Sequence, residues 1–225
     1  MILQTKAILF DMDGVLIDSA PAVERVWHKW ALQHGVDPAY AIQQAHGRRS
    51  IETIRAIAPY MNAEQENMKV EQMEIEDKEG VTALAGAAEM LRALPPDRFA
   101  IVTSATRPLA VARLGYAGLI VPQNMITADD VVNGKPSPEP YIKGAALLRV
   151  APADCLVFED TPAGVAAARA AGMRAVALGN TYPPHELQAA DARVNSLLDV
   201  HAEIRQETIV VELSDMNAAK NGMDS

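Results

Sequence analysis

Two aspartates one residue apart, Asp11 and Asp13, follow the apolar run Ala7-Ile8-Leu9-Phe10 in a chain of 225 residues. Three further polar sets stand at comparable places. Thr103-Ser104 follow Phe99-Ala100-Ile101-Val102, Glu159-Asp160 close Cys155-Leu156-Val157-Phe158, and Lys135 lies in the loop Asn133-Gly134-Lys135-Pro136-Ser137-Pro138. Carboxylates brought together repel one another unless a cation joins them, and oxygen ligands of this number suit Mg²⁺. A carboxylate beside such a cation can attack phosphorus, because the metal offsets the repulsion between anion and anion. That chemistry makes Asp11 the candidate nucleophile. Asp13, on the same side of a still-extended chain, is placed to protonate the leaving oxygen, and Gly14 permits the sharp turn this needs. Ser104 and the following backbone N–H, that of Ala105, could hold non-bridging phosphate oxygens, while Lys135 neutralises phosphate and nucleophile.

Each feature alone has a plainer explanation. An Asp-x-Asp after a strand is commonly a turn or a helix cap. Ser104 could cap a strand end, Lys135 could be an ordinary loop lysine, and Glu159-Asp160 could be charge placed favourably at a helix N-terminus. The ordered set at successive strand ends favours the functional reading.

Such residues converge only if the intervening elements aim them at one place. Short uninterrupted apolar runs suit strands covered on both faces, and a weaker one recurs at Ala175-Val176-Ala177-Leu178-Gly179. Ala87, Met90, Leu91 and Leu94 recur at helical spacing before Pro95-Pro96, and Pro162 opens a second helix through Ala171, with Thr161 as cap and Gly172 just beyond. Alternating strands and helices predict an α/β fold with a doubly wound parallel sheet, whose ligands bind beyond the carboxyl ends of the strands.

One segment breaks the alternation. Ser19 to Leu84 shows helical periodicity and no convincing strand; Glu64 to Glu79 holds seven acids and two lysines, with Met61, Met68 and Ile75 at heptad spacing. A solvated amphipathic helix is expected there. The segment leaves after the first strand and returns before the second, so it should lie over the strand ends as an inserted helical cap. The expected division is a core of residues 1–18 and 85–213, a cap of 19–84, and a frayed tail of 214–225. Asp18-Ser19 and Leu84-Ala85-Gly86 are the expected hinges.

Twenty basic residues against 29 acidic give a net charge of -9, which argues against nucleic acid as a partner. A single cysteine, Cys155, allows no internal disulfide and suits a reducing compartment. No run of 18 apolar residues exists, and no signal-peptide pattern opens the chain, so the expectation is a cytoplasmic monomer without a membrane partner.

The ordered set resembles the haloacid dehalogenase-like (HAD) superfamily. Phe10-Asp11-Met12-Asp13-Gly14-Val15 resembles its first motif, Ser104 its second, Lys135 its third and Glu159-Asp160 its fourth. The resemblance implies a Rossmann-like core and an aspartyl-phosphate on Asp11, with Asp13 as acid and base. It also implies Mg²⁺ held by the Asp11 side chain, the Asp13 main-chain carbonyl and Asp160, with Glu159 a further ligand or a group just behind. His46-Gly47-Arg48-Arg49-Ser50-Ile51-Glu52-Thr53-Ile54 is similar to the cap of glycerol-3-phosphate and 2-deoxyglucose-6-phosphate phosphatases, which implies a small phosphorylated polyol or sugar as substrate. Arg49 is the candidate contact from the cap; the alternative is that Arg48 and Arg49 pair with the acidic cap helix. His46 reads more readily as a capping or packing residue. Phosphosugar mutases with the same core resemble the chain too, but carry a histidine where this chain has Val23. A phosphorylated-aspartate signalling switch would be about half this length and capless.

Overall fold

The structure, a computed structural model, describes residues 1–214. In chain order, β1 (Ile2–Thr5) and β2 (Ala7–Phe10) are followed by β3 (Ile17–Asp18), and then by α1 (Ala20–His34), α2 (Pro38–Ala45), α3 (Ser50–Ile57) and α4 (Ala63–Glu76). After β4 (Thr82–Ala83) come α5 (Ala87–Ala93), β5 (Phe99–Val102), α6 (Arg107–Tyr116), β6 (Met125–Ile126) and α7 (Glu139–Leu147). The chain ends through β7 (Cys155–Glu159), α8 (Pro162–Ala170), β8 (Arg174–Leu178), β9 (Ala192–Val194), β10 (Val200–Arg205) and β11 (Thr208–Leu213).

Six strands form one sheet in the order β6-β5-β2-β7-β8-β9, with every neighbouring pair parallel. The strand order reverses beside β2, so a crevice opens beyond its carboxyl end. The apolar runs are continuous because both faces are covered, but the faces differ in side-chain size. Phe10, Phe99, Ile101 and Phe158 pack on one face; Ala7, Ala100, Ala175 and Ala177 lie on the other. Phe10 stacks on Phe158 with centroids 5.4 Å apart and meets Phe99 edge-on at 6.3 Å. Each such pair stabilises by roughly 0.5–1.5 kcal/mol beyond simple burial. These contacts anchor the strand end from which Asp11 emerges. On the small-residue face α7 comes very close: a Cβ at Gly144 would stand 2.9 Å from Val102 Cγ2.

Helices α1 to α4 have an apolar centre of their own, including Trp27, Trp30, Ile54 and Val70. Their ends are set locally. Gly35, at φ +67°, closes α1; the Asp37 carboxylate accepts from Tyr40 N–H at 2.7 Å to start α2; Asn62 does the same for α4 through Gln65 N–H. Two expectations for this segment need correction. Residues 19–84 do contain a strand, β4, which pairs antiparallel with β3; at two residues it is too short to leave a pattern. The fully buried positions of α4 are Ala63, Glu66, Val70 and Glu74; of the heptad residues, Met61 and Ile75 pack partly buried against the apolar clusters and Met68 is 62% exposed. Two acids are buried there because partners await them. Glu66 accepts from Trp30 Nε1 at 3.0 Å and Lys69 Nζ at 2.7 Å, and Glu74 meets an arginine of α6.

A second sheet, β1-β11-β10, is antiparallel, and its Ile209, Val211 and Leu213 join the core on the Phe10 face. The expected frayed tail falls almost wholly on residues 215–225, which lie outside the described residues, while Ser214 N–H donates to Asp199 O at 2.9 Å. Among the described residues no helix is long and apolar enough to cross a membrane.

Candidate active site

Asp11 continues the ladder of β2, its N–H donating to Phe158 O at 2.9 Å, and is only 5% exposed. The chain then turns sharply, with Gly14 at φ +78° and its N–H bonded to Ile17 O at 2.8 Å. Glycine is required there twice over, for the positive φ and because a Cβ would fall within the Asp160 carboxylate. The turn brings Asp13 back beside Asp11.

Lys135 Nζ donates to Asp11 Oδ1 at 2.7 Å, Glu159 Oε1 at 2.6 Å and Val102 O at 3.1 Å. All three of its protons are thereby used, in a fully buried setting. Glu159 is saturated. Oε1 also accepts from Tyr141 OH at 2.7 Å, and Oε2 accepts from Asp160 N–H, Thr161 N–H and Thr161 Oγ1. Its lone pairs are spent within the protein, so Glu159 is a poor candidate for direct metal ligation. It holds Lys135 instead.

Asp160 is the opposite case. Its Oδ2 accepts from Thr181 Oγ1, and its buried Oδ1 has no hydrogen-bond partner among the described residues. One carboxylate oxygen each from Asp11, Glu159 and Asp160 lie within 4.8 Å of one another. Among the described residues one ammonium, Lys135, faces these three buried carboxylates and pairs directly with two of them. Burial, opposed by Lys135 and reinforced by Glu159, pushes the Asp11 carboxyl up to about 7. Burial, with Glu159 and Asp11, also raises Asp160 well above the usual range. Burial would raise Glu159 as well, but Lys135, Tyr141 and Thr161 N–H outweigh it and hold Glu159 low. The orphaned Asp160 oxygen, the all-oxygen donors and the charge imbalance fit a hard divalent cation.

These groups open on a cavity of about 480 Å³, large enough for a small phosphorylated metabolite. Asp11, Asp13, Ser104 and Asp160 line its floor; Val23, Trp27, His46, Arg48 and Glu74 of the helical insertion line its roof. Asp13 Oδ1 accepts from Ser19 Oγ at 2.6 Å and from Arg113 Nη1 at 3.0 Å.

Three sequence expectations change here. Arg49 does not line this cavity. Its guanidinium pairs with Glu52 and donates to the carbonyls of Val131 at 3.2 Å and Val132 at 2.9 Å, pinning the insertion to the core. Its neighbour Arg48 reaches the cavity in its place. Ala105 N–H donates to Thr103 Oγ1 at 3.1 Å and so is committed to its own turn, while Ser104 Oγ donates to Gly47 O at 3.2 Å. His46, read as a capping or packing residue, also lines the cavity, and its buried Nε2 lacks a partner among the described residues.

Sequence reasoning passed over Arg113, Glu74, Tyr141 and Thr181. Arg113 had a signal: it shares a helical face with Leu109, Ala110 and Leu114, and an arginine on an apolar face needs a buried anion. Glu74 had none, as one acid among seven.

The profile of the haloacid dehalogenase-like hydrolases matches residues 5–172. Hexitol phosphatase A of Escherichia coli (strain K12) is 40% identical over 200 residues, covering 87% of this chain and 93% of that protein. Glycerol-1-phosphate phosphohydrolase 2 of Saccharomyces cerevisiae is 35% identical over 192 residues, covering 80% of this chain and 77% of that one. Among solved structures, a hydrolase from Pseudomonas syringae superposes with a TM-score of 0.78 at 26% identity, covering 87% of this chain and 95% of that one.

Proposed function

The chain belongs to the haloacid dehalogenase-like hydrolase family, and from that membership we propose a Mg²⁺-dependent phosphomonoester hydrolase for a small phosphorylated polyol or sugar. The observation that carries this reading is the buried Asp11–Lys135–Asp160 set at the floor of a cavity sized for such a substrate. Residues 19–84 would serve as its cap.

Asp11 Oδ1 is held by Lys135, and Oδ2 accepts no hydrogen bond among the described residues, which leaves it free to attack. As the Asp11 O–P bond forms and the ester P–O bond breaks, the Asp13 carboxyl gives its proton to the departing alkoxide oxygen. In the second half, water attacks phosphorus and loses a proton to the Asp13 carboxylate. The Asp11 O–P bond breaks, inorganic phosphate leaves, and both side chains return to their starting states. The Asp11 and Asp160 carboxylates and the Asp13 main-chain carbonyl would hold Mg²⁺, whose positive charge would let a carboxylate approach a phosphate. Lys135 fixes the nucleophile, and the helical insertion that roofs the cavity would limit the access of bulk water to it. Val23, which lines the cavity, stands where the mutase resemblance places a hinge histidine, and this favours the phosphatase over the mutase.

The test is phosphate release from a panel of phosphorylated polyols, sugars and nucleotides with Mg²⁺. Turnover is expected on hexitol or glycerol phosphates, and silence across the panel would refute the reading. Chelation should abolish turnover and Mg²⁺ should restore it. Asp160→Asn should raise the half-saturating Mg²⁺ concentration at least about tenfold, as loss of a group that tunes a metal site commonly does. Full activity in excess chelator would count against the cation.

The two neighbouring arginines should separate kinetically. Arg48→Ala should raise KM for the preferred substrate roughly fivefold, since a partly exposed charged contact contributes about 1 kcal/mol. Arg49→Ala should leave KM within about twofold and lower Tm, because its partners are Glu52 and two core carbonyls. Steady-state kinetics and thermal melts on both variants decide.

A further inference from the structure

Arg113 lies on α6 of the core, is 5% exposed, and points between two carboxylates from different parts of the fold. Its Nη1 donates to Asp13 Oδ1 at 3.0 Å, and its Nη2 stands 3.5 Å from Oε1 of Glu74, a residue of α4 that is itself 4% exposed. All three residues line the cavity. We infer that Arg113 is a positioning residue for the acid–base step, holding Asp13 in its working orientation and tying that orientation to the docking of the helical insertion through Glu74. The inference rests on the phosphatase reading above.

The geometry of Asp13 carries most of this. Both of its side-chain hydrogen bonds, from Ser19 Oγ and Arg113 Nη1, fall on Oδ1, and Oδ2 accepts none among the described residues. Two donors converging on one oxygen stop the carboxyl from rotating and leave the other oxygen to carry the transferred proton. That proton passes from Asp13 Oδ2 to the ester oxygen as the P–O bond breaks, and returns to Oδ2 from the attacking water. Ser19 opens the insertion and Arg113 belongs to the core, so the oxygen is gripped from both sides of the hinge.

Glu74 supplies the link to closure. A guanidinium buried to this degree is costly unless anions face it, and Asp13 alone gives it only one. Glu74 belongs to the insertion, so the second anion is present only when α4 is docked against α6. Two further cross-contacts run beside it: Thr106 Oγ1 donates to Glu71, and Tyr116 OH donates to Ile75 O at 2.7 Å. Undocking would leave Arg113 with one partner and a route to water, and the grip on Asp13 would loosen. The acid is then completed by the same motion that shuts the cavity.

A positioning role predicts sensitivity to the leaving group, which a structural role does not. Expulsion of an alkoxide needs a proton; expulsion of p-nitrophenolate does not. Arg113→Met is expected to lower kcat/KM for a hexitol phosphate at least about tenfold more than for p-nitrophenyl phosphate, because general acid catalysis contributes roughly 10²–10⁴-fold. Glu74→Gln, which keeps shape and removes charge, should show the same selective loss at about threefold. Substrate contact is tested separately: on an Asp11→Asn background, Arg113→Met should leave the Kd for the hexitol phosphate within about threefold. Equal losses on both esters, or none, would overturn the inference, as would a tenfold weaker Kd, which would make Arg113 a substrate contact. If Arg113→Met does not fold, Glu74→Gln alone decides by the presence or absence of the split. No phosphate release by the unaltered protein from either ester would instead remove the phosphatase reading itself.

Discussion

Asp11→Asn is expected to lower turnover at least about 10³-fold while the protein stays folded and, at neutral pH without added cation, loses no stability. An amide is a far weaker nucleophile than a carboxylate, and groups that act as a unit in covalent catalysis lose nearly everything when one is removed. The stability half follows from burial. The Asp11 carboxyl is raised from 3.8 to about 7, and desolvation outweighs Lys135 in setting that direction. For a group whose folded pKa lies above its unfolded one, the stabilising contribution is complete below 3.8 and is lost as pH climbs through about 7. Wild-type protein therefore carries a cost above pH 7 that an uncharged asparagine does not. The Tm of Asp11→Asn relative to wild type should rise between about pH 5 and pH 8 in the presence of chelator. Functional sites commonly sacrifice stability in this way. Residual activity above a few per cent would remove Asp11 as nucleophile, and a flat Tm difference would remove the buried charge as its cost.

The parts of this site that could be read from the sequence share one property: each is tied to a strand end. Ala7–Phe10 and Cys155–Glu159 are uniform apolar runs because helices cover both faces of the sheet, so their ends, and the acids just there, are easy to find. The second sheet was not legible. Ile2–Thr5 mixes apolar and polar residues and buries only Thr5, and Val200–Arg205 places Glu203 and Arg205 on the exposed part of a strand whose partner alone is strongly apolar. The roof of the cavity was not legible either. A helix such as α4, with acids on every side, does not reveal that Glu66 and Glu74 face inward; that depends on Trp30 and Arg113, which arrive from distant parts of the chain. Arg48 and Arg49 show the same limit at its finest scale. Adjacent arginines on one turn leave in different directions, and only the packed structure says that Arg49 grips Val131 and Val132 while Arg48 faces the cavity.

Lys135→Met is expected to be the most damaging single change for stability, lowering Tm by about 10 °C, and to reduce turnover at least about 100-fold. Lys135 is the one ammonium hydrogen-bonded to Asp11 and Glu159 among the described residues, and methionine keeps its length without its charge. Removing one partner of a buried ion pair costs about 3–5 kcal/mol, because the remaining charges stay buried and uncompensated. At 2–4 °C per kcal/mol for a domain of roughly this size, that is the stated loss. Two conditions should soften it. Acid should help, since protonating the carboxylates removes the repulsion that Lys135 had been offsetting, so the Tm gap should narrow from about pH 8 to pH 5. Mg²⁺ should help as well, contributing about 1.4 kcal/mol for each tenfold excess over its Kd. It should not restore turnover. A cation can replace the charge of Lys135 but not its three directed hydrogen bonds, of which the one to Asp11 Oδ1 fixes the orientation of that carboxylate and the one to Val102 O fixes the lysine to the sheet. Recovery of stability with Mg²⁺ while turnover stays low would separate the two roles of this residue. Recovery of both would mean that charge alone was its contribution, and recovery of neither would mean that the cation does not share its site.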